Sequence, residues 1–377
     1  MLEWITIRRP AMRERLTTPH GEVLFPAFLP DATYGAVRAA DSEDLRRIGV
    51  PALVMNAYHI MQKPGTTTVS ALGGLHAMSG WTGPIMTDSG GFQAYSVIRQ
   101  YPESGRIGKD GITVFPEGAL RKFALTPEKS VQLQLAYGSD VVVCLDECTH
   151  ADDGRTVQER AVRRTIDWAA RCKEEFDRLI RQKGLGTGGS ARPSLFAVVQ
   201  GGGHKDLRRL CAAELSAMGF DGMGFGGWPI DGEGKLLTEI LMTVRESLAD
   251  DMPLHALGIG HPSYVKECWE MGYDMFDCSL PTRDARRGRL YTSSGPLGED
   301  GFADGWFKYL YIQDEKHMKD RRPVMAGCDC PLCRDYSLGY LQHLMRYGEA
   351  LFQRLATLHN LRFMTRLSKA LAERGRP

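Results

Sequence analysis

Short apolar runs that end in polar or glycine residues recur eight times along the chain, and they constrain its fold more than any other feature. They lie at 24–29, 52–55, 84–86, 141–145, 195–199, 222–225, 254–259 and 275–280. Several of the gaps carry helical patterns with charged faces, at 41–47, 159–178, 204–218, 236–248 and 262–271. Such alternation is typical of a parallel sheet, and eight repeats predict a closed (β/α)8 TIM barrel of the α/β class. A Rossmann-type open sheet fits less well, because no Gly-x-Gly-x-x-Gly follows the first strand with an acid about 20 residues later.

Two segments depart from this alternation. Between 93 and 125, glycines and prolines interrupt short β-like pieces, which predicts a β-hairpin insertion over the mouth of the barrel. After Arg289 the alternation stops, and the remaining chain holds a cysteine cluster and a helical run at 336–374. We therefore expect a catalytic barrel at 1–290 and a helical subdomain at 291–377 that packs on it.

Composition excludes several classes of protein. The hydrophobic fraction of 43% and the charged fraction of 25% are ordinary for a globular protein, so a disordered or collagen-like chain is excluded. The formal net charge of +1 gives no argument for a polyanionic partner, so any surface that binds one must be a local patch. Residues 1–6 lack a basic leader with an apolar core, and no run of about 18 apolar residues occurs. We expect a cytoplasmic protein without a membrane partner.

The cysteines predict a metal site. Of nine cysteines, Cys328, Cys330 and Cys333 lie in one short segment while the others are scattered. In a reducing compartment such clustering favours a metal over disulfides. A histidine further along, His343 or His359, would complete a Cys3His set for tetrahedral Zn²⁺. Because a site with four protein ligands has no open position, we expect one structural zinc ion.

Polar side chains follow several of the predicted strands, where the functional groups of a TIM barrel gather. Asp88, Asp146, Gln200 and Asp277 each come at or just after a strand end. A single aspartate there is often a cap or turn residue, but three carboxylates and an amide would converge on one mouth. Two close carboxylates suit double displacement at an anomeric carbon, and they equally suit a divalent metal. The spacing leaves both chemistries open.

One motif distinguishes double displacement at an anomeric carbon from the binding of a divalent metal. Residues 87–93 read Thr-Asp-Ser-Gly-Gly-Phe-Gln, in which the glycines allow close backbone approach to a ligand and the aromatic ring can stack on a planar group. Together with 277–283, Asp-Cys-Ser-Leu-Pro-Thr-Arg, and the cysteine cluster, this motif resembles the tRNA-guanine transglycosylase (queuine tRNA-ribosyltransferase) family in its bacterial form. The resemblance extends from residue 25 to residue 362.

The resemblance implies a pentosyltransferase of queuosine biosynthesis, built on a (β/α)8 barrel with a zinc subdomain and using no metal in the catalytic step. Its substrates would be a tRNA with a G-U-N anticodon, whose wobble guanine is exchanged, and a 7-deazaguanine base. Asp277 would be the nucleophile that bonds covalently to the ribose, and Asp88 would be the general acid/base. His359 rather than His343 would be the fourth zinc ligand, and the enzyme would be a homodimer.

The resemblance also assigns the residues that bind the base. They are Asp146, Gln200, Gly227, Phe92, Leu257 and Ser89. The aspartate would accept hydrogen bonds from N1–H and the exocyclic amine of the guanine ring, while the glutamine amide and the glycine backbone would donate to O6. The phenylalanine and the leucine would sandwich a base that has been flipped out of its stack.

A basic run begins six residues after the proposed nucleophile, at 283–289. Charge runs are commonly only solvated faces, but beside the nucleophile this one suits an RNA strand. In the family, the arginines matching Arg283 and Arg286 read uridines that flank the target guanine. Arg287 and Arg289 are assigned to phosphate contacts.

The loop 226–230 departs from the family pattern. It reads Gly-Gly-Trp-Pro-Ile where Gly-Gly-Leu followed by alanine or serine is usual, and it borders the group attached at position 7 of the base. The bulky Trp228 and Ile230 favour the small 7-aminomethyl-7-deazaguanine over queuine, which carries a cyclopentenediol.

Four alternatives stand beside this interpretation: queuine-specific exchange, insertion of a deazaguanine into DNA, a non-catalytic accessory subunit, and an ordinary glycoside hydrolase. Arg283 and Arg286 favour RNA over DNA. The presence of both Asp88 and Asp277 argues against an accessory subunit. A zinc cluster has no role in an ordinary glycoside hydrolase.

Overall fold

The structure, a computed structural model, describes residues 13–115, 122–150, 153–186, 192–298 and 302–376, so the leader prediction for 1–6 lies outside the described residues. Its strands, numbered in chain order, are β1 (Arg15–Thr18), β2 (Gly21–Leu24), β3 (Ala27–Pro30), β4 (Leu53–Asn56), β5 (Ile85–Asp88), β6 (Gly105–Gly108), β7 (Gly111–Val114), β8 (Phe123–Leu125), β9 (Val141–Val143), β10 (Ser194–Val199), β11 (Gly222–Phe225), β12 (Leu254–Ala256), β13 (Met275–Cys278), β14 (Arg289–Ser293) and β15 (Phe307–Tyr311).

The α-helices are α1 (Ser42–Arg47), α2 (Ala57–Gln62), α3 (Thr66–Ala71), α4 (Gly74–Ser79), α5 (Gly91–Gln100), α6 (Pro127–Tyr137), α7 (Arg155–Gln182), α8 (Lys205–Met218), α9 (Thr238–Glu246), α10 (Pro262–Glu270), α11 (Leu280–Arg286), α12 (Pro331–Asp335), α13 (Leu338–Arg346) and α14 (Ala350–Arg374). Within the described ranges, no helix combines the length and the apolar character that a bilayer crossing requires.

Eight parallel strands form one sheet in the order β3-β13-β12-β11-β10-β9-β5-β4. A parallel bridge between Asp31 and Val54 joins the two edge strands, and the Ala32 N–H donates to the Val54 carbonyl over 2.7 Å. All six residues of β10 are buried, as expected for a strand that is covered on both faces. The predicted (β/α)8 barrel is confirmed, and each of the eight apolar runs overlaps one of its strands.

The barrel strands β9, β12 and β13 end earlier than predicted, and residues after them line the mouth. β12 ends at Ala256, and Gly258 beyond it has a φ of 78°, a left-handed conformation that breaks the strand. β13 ends at Cys278, because Pro281 lies in the first turn of α11, where its missing N–H costs no hydrogen bond. The chain between β13 and α11 is thus short and fixed in its conformation.

The segment predicted as a hairpin insertion contains more than a hairpin. Its first residues belong to α5, and the antiparallel strands β6, β7 and β8 follow. Ile112, Val114 and Leu125 from this sheet are buried, and β7 contacts α5. The antiparallel pair that was expected is present, and a helix and a third strand adjoin it. Residues 116–121 of this segment lie outside the described part of the chain.

The cysteine-rich end of the chain begins with an antiparallel hairpin, β14-β15, which the sequence analysis did not predict. Three helices follow, and the helical run expected at 336–374 is divided near Gly348, whose φ is 69°. α14 contacts α10, α11 and β3, so this end packs directly on the barrel. The division of the chain at residue 290 stays a prediction, and it falls inside β14.

Asp140 anchors the end of the barrel opposite the mouth. It is fully buried and accepts hydrogen bonds from the backbone N–H groups of His20 (3.0 Å) and Ile85 (2.8 Å). The imidazole rings of His20 and His76 stack with their centroids 3.6 Å apart and lie 2.8 and 3.3 Å from the carboxylate oxygens. These contacts fix the β1-β2 hairpin to the base of the barrel.

Candidate active site

The carboxyl ends of the barrel strands surround a cavity of about 680 Å³. The residues of its wall that were predicted to be catalytic or base-binding are Asp88, Ser89, Phe92, Asp146, Gly227, Leu257 and Asp277. Gln200 lies just behind the wall, bonded to Asp146. The fold therefore brings all of these residues around one space, whereas the four arginines of 283–289 and the cysteine cluster are not among its lining residues.

Asp88 ends β5 and is held by three donors. The Asn56 amide donates to Oδ2 over 2.5 Å, and the backbone N–H groups of Ala57 and Gly90 donate to Oδ1 over 3.1 Å each. Burial raises the pKa of Asp88 to about 7, although the two backbone hydrogen bonds oppose the shift. A carboxyl group with such a pKa can give and take a proton near neutral pH.

Asp277 lies on β13, and its side chain is 18% exposed. The Gly258 N–H donates to Oδ1 over 3.1 Å, and His255 Nε2 lies 2.9 Å from the same oxygen without the angle of a hydrogen bond. In the described part of the chain, Oδ2 takes no hydrogen bond. One oxygen is thus fixed and the other is available to an electrophile in the cavity.

Asp146 follows β9 and forms a pair with Gln200, whose Nε2 donates to Oδ2 over 2.6 Å. Burial raises the pKa of Asp146 to about 6, and the hydrogen bond from Gln200 opposes the rise. Gln200 Oε1 is buried and has no hydrogen-bond partner among the described residues. The pair presents buried donors and acceptors beside the cavity, which suits the edge of a nucleobase.

Arg208 positions the loops on this side of the cavity. It is fully buried, and its guanidinium donates to the carbonyls of Gly202 (3.0 Å), Gly226 (2.9 Å) and Val199 (2.5 Å). The guanidinium also lies 4.3 Å from the ring centroid of Phe225. Because its bonds span the loops after β10 and β11, Arg208 fixes the chain on both sides of Gln200 and Gly227.

An aromatic cluster borders the cavity. The Phe92 and Trp228 rings meet edge to face with centroids 5.9 Å apart, and His150 meets Trp228 at 5.5 Å. Phe92 is 44% exposed and Trp228 is 41% exposed, so both rings have free surface. Ser89 is buried and its hydroxyl accepts from the Gly91 N–H over 3.2 Å, which is a local turn contact.

The predicted RNA-binding arginines lie on and after α11. Arg283 and Arg287 are exposed, and Arg286 is half-buried with a pKa lowered by burial and by neighbouring arginines. Arg289 is already engaged, since its Nη2 lies 2.9 Å from Oδ1 of the buried Asp284. The structure thus leaves Arg283 and Arg287 freer to meet a ligand than Arg289.

The four predicted metal ligands come together at the start of α12 and within α14. The Sγ atoms of Cys328, Cys330 and Cys333 lie 3.9, 3.5 and 3.3 Å from His359 Nδ1, separations that suit ligands around one tetrahedral ion. His359 Nε2 lies 2.8 Å from the Tyr291 carbonyl, so it carries the proton and leaves Nδ1 free. This geometry fits a closed structural metal site.

Comparison with known proteins agrees with this geometry. The profile of the family described as Queuine tRNA-ribosyltransferase matches residues 9–374. A queuine tRNA-ribosyltransferase of Methylacidiphilum infernorum is 36% identical over 364 residues, which cover 95% of this chain and 89% of that protein. This chain belongs to the queuine tRNA-ribosyltransferase family. It is therefore an enzyme, a pentosyltransferase.

Other members of the queuine tRNA-ribosyltransferase family are similarly close. The protein of that name from Shewanella halifaxensis is 37% identical over 368 residues, covering 97% of this chain and 90% of its own length. That of Novosphingobium aromaticivorans is 37% identical over 348 residues, covering 92% and 86%. The similarity spans both the barrel and the cysteine-rich end, so the whole described chain belongs to the family fold.

Three residues around this site were missed by the sequence analysis. Arg208 lies in the run 204–218, which was predicted as a helix with a charged face, and nothing in that pattern indicated its burial. His255 is on a buried strand, where a histidine most often only fills space. Asp31 follows β3 just as Asp146 follows β9, so the rule that polar residues after strands line the mouth would have found it.

Proposed function

We propose that this enzyme exchanges the guanine at the wobble position of tRNAs with G-U-N anticodons for a 7-deazaguanine base in queuosine biosynthesis. The observation that supports it most is the arrangement of Asp277, Asp88 and the Asp146–Gln200 pair around one cavity in a chain of this family. Two carboxylates would act on the glycosidic bond, and a third, hydrogen-bonded to an amide, would bind the base.

In the first displacement, Asp277 Oδ2 attacks ribose C1′, and the bond from C1′ to the guanine nitrogen breaks. The fixed Oδ1, bonded to the Gly258 N–H, orients the attacking oxygen. Asp88 donates its proton to the departing guanine, so the base leaves neutral and Asp88 becomes a carboxylate. A pKa of about 7 keeps much of Asp88 protonated at neutral pH. The product is a covalent ester between the enzyme and the RNA.

In the second displacement, the incoming 7-deazaguanine gives a proton to the Asp88 carboxylate, and its nitrogen attacks C1′ from the face that guanine left. The bond from C1′ to Asp277 breaks and the carboxylate is regenerated. Two inversions return the original β-configuration, as in retaining glycosidases. Proton and electron pairs balance without a metal ion.

The base is held by the far side of the cavity. The ionised Asp146 accepts from N1–H and the exocyclic amine, while Gln200 and the Gly227 N–H donate to O6. Phe92 and Leu257 cover the two faces of the ring. The hydrogen bond from Gln200 Nε2 to Asp146 Oδ2 supports this role, since it places the amide donor beside the carboxylate that would accept from the base. Ser89 contributes to the wall beside Asp88.

We propose 7-aminomethyl-7-deazaguanine as the natural incoming base. Trp228, Pro229 and Ile230 narrow the cavity where the 7-substituent would lie, and the loop is fixed by the Pro229 carbonyl, which accepts from the Leu237 N–H over 2.9 Å. Asp231 also lines the cavity, and its carboxylate would attract the ammonium group of an aminomethyl substituent. A small cationic group fits this rim better than a cyclopentenediol.

The tRNA would lie across α11. Arg283 and Arg286 would read the uridines next to the target guanine, and Arg287 and Arg289 would contact phosphates. The exposure of Arg283 and Arg287 supports their part of this assignment, whereas Arg289 would have to share its guanidinium with Asp284. With tRNA as the substrate, we place the enzyme in the cytoplasm.

Zinc and a second copy of the chain complete the proposal. Cys328, Cys330, Cys333 and His359 would hold one structural Zn²⁺, as their spacing and donor set support.

For the homodimer, the supporting feature is an aromatic ladder beside this site. The rings of Tyr336, Tyr340, His343 and Tyr347 follow one another at 5.2, 6.3 and 4.8 Å.

Radiolabelled guanine tests the exchange. We expect label to enter unmodified G-U-N tRNAs with the wild-type enzyme, but neither tRNAs without a wobble guanine nor any tRNA with Asp277→Ala. Unlabelled 7-aminomethyl-7-deazaguanine should compete at lower concentration than queuine. Label that enters DNA instead, or that enters no nucleic acid at all, would contradict the proposal.

A further inference from the structure

A third carboxylate stands beside the proposed nucleophile. Asp31 lines the same cavity as Asp277 and Asp88. It follows β3, which pairs with β13 on one side, where Asp277 lies opposite Leu29. On the other side Asp31 bridges to Val54 of β4, the strand that carries Asn56.

The alternation of side chains along strands places Asp31 on the inner face. Partners in a parallel ladder point to the same side of the sheet, and residues two apart in one strand do so too. Leu29 shares the face of Asp277, and Asp31 lies two residues beyond Leu29 toward the mouth. Around the barrel, Asp277 on β13, Asp31 directly after β3, Asn56 on β4 and Asp88 on β5 therefore follow one another.

Asp31 forms no ion pair that would explain its burial. Its Oδ1 accepts from the Thr33 hydroxyl over 2.6 Å, a contact within its own loop. In the part of the chain that the structure describes, no lysine or arginine forms an ion pair with Asp31, although its charge acts on the pKa of Arg286 from a longer distance. The neighbouring His59 lines the cavity with a pKa lowered by burial. Burial also raises the pKa of Asp31, and the charge of Asp277 adds to this rise. A partly buried carboxylate that forms no ion pair is costly unless a ligand uses it.

The position of the base fixes what Asp31 would meet. The base-recognition groups lie after β9, β10 and β11, across the barrel from β3. With C1′ beside Asp277, the sugar must extend away from the base, toward β3 and β4. Two neighbouring carboxylates would repel a phosphate, so the group at Asp31 must be a hydrogen-bond donor. In a polynucleotide, whose 3′ and 5′ oxygens are esterified, the free donor of the target ribose is its 2′-hydroxyl.

We infer that Asp31 binds the 2′-hydroxyl of the nucleotide whose base is exchanged and makes the enzyme selective for RNA over DNA. The inference rests on the proposed role of Asp277 as the nucleophile. The 2′-hydroxyl is the group by which proteins distinguish the two nucleic acids at a single site. In sugar transfer through an oxocarbenium-like transition state, a hydrogen bond to this hydroxyl also strengthens as the base departs. Asp31 thus contributes to the rate as well as to selectivity.

The test compares two RNA stem-loops that differ only in a guanosine or a 2′-deoxyguanosine at the target position. Guanine exchange is measured with the wild type, Asp31→Asn and Asp31→Val. Asp250→Asn serves as the matched control, because Asp250 is exposed and precedes β12, at the end of the barrel opposite the cavity. Thermal unfolding of each variant verifies that it is folded.

We expect both Asp31 variants to lose on the order of 10- to 100-fold in kcat/KM on the ribose substrate, mainly in kcat, and little on the deoxyribose substrate. The preference of the wild type for ribose should shrink accordingly, while Asp250→Asn keeps it. Equal losses on both substrates, or no loss on either, would overturn the inference while leaving base exchange established. If the wild type exchanges guanine in neither stem-loop, the proposed function fails and the inference falls with it.

Discussion

The Gln200 amide donates to the Asp146 carboxylate over 2.6 Å while its own Oε1, buried, has no partner among the described residues. The pair is therefore imperfectly satisfied in the free protein. It carries a charge that burial disfavours and an acceptor that awaits a donor. Unsatisfied polar groups at a binding site lower the stability of the fold, and such a loss is commonly found where function requires it.

Asp146→Asn should make the protein more stable and nearly inactive. The pKa of Asp146 is raised to about 6 in the fold, so the ionised group costs stability at every pH above its unfolded value. The free energy of unfolding of Asp146→Asn should exceed that of the wild type by an amount that grows as pH rises from about 4 to about 6. Above that pH the difference should level off at about 1–3 kcal/mol. Thermal unfolding measured across this range tests it. A variant less stable than the wild type at pH 8 would contradict the account of this pair.

The pH dependence of guanine exchange should be a narrow bell. Base binding needs the Asp146 carboxylate, which is lost as pH falls through about 6, and the first displacement needs protonated Asp88, which is lost as pH rises through about 7. We therefore expect kcat/KM to be highest between these values. Initial rates from pH 5 to pH 9 measure it. A rate that is flat across this range would show that neither group titrates as described.

The barrel and most of the site residues could be predicted from the sequence, each for a specific physical reason. The apolar runs gave the barrel because its strands are buried on both faces and read as continuous hydrophobic segments, as in β10. Asp88 and Asp146 were found because each follows such a run, and Asp277 because it lies within the last run, at 275–280. The strand ends were less certain, since Gly258 and Pro281 act through backbone conformation rather than through hydrophobicity.

What the sequence did not reveal depends on long-range packing. Arg208 is fully buried and donates hydrogen bonds to carbonyls of two separate loops. No local sequence pattern predicts these contacts. The hairpin β14-β15 was missed because, apart from the buried Leu290 and Tyr291, its residues are partly buried or exposed, so its alternation between apolar and polar positions is weak. Asp31 was missed because the first apolar run ends at residue 29, two residues before Asp31, so Asp31 did not stand out as the residue after a strand.

Trp228 should control which 7-substituent is accepted. Trp228→Leu removes the ring that meets Phe92 and His150 and enlarges the cavity beside the base. We expect KM for queuine to fall on the order of tenfold, while guanine exchange changes by less than about threefold. Competition assays with the two bases measure this. Unchanged selectivity would mean that the substituent lies elsewhere.

The metal site should distinguish its two candidate histidines. His359→Ala removes a ligand whose Nδ1 lies within 3.9 Å of all three thiols, so we expect loss of bound zinc and a lower unfolding temperature. His343→Ala is the matched control, because His343 packs against Tyr340 and Tyr347 on α13 instead. Metal analysis should give one zinc per chain for the wild type and the control. Zinc retained in His359→Ala would refute the assignment.

The central claim is that Asp277 bonds covalently to the ribose, and trapping that bond tests it most directly. Substrate tRNA is incubated with the wild type without an incoming base and quenched in denaturant, and nuclease and protease digestion is followed by mass spectrometry. We predict a peptide containing Asp277 that carries the mass of the RNA fragment without guanine, and no such peptide from Asp277→Asn. An adduct on Asp88 or Asp31, or full exchange by Asp277→Asn, would contradict the account.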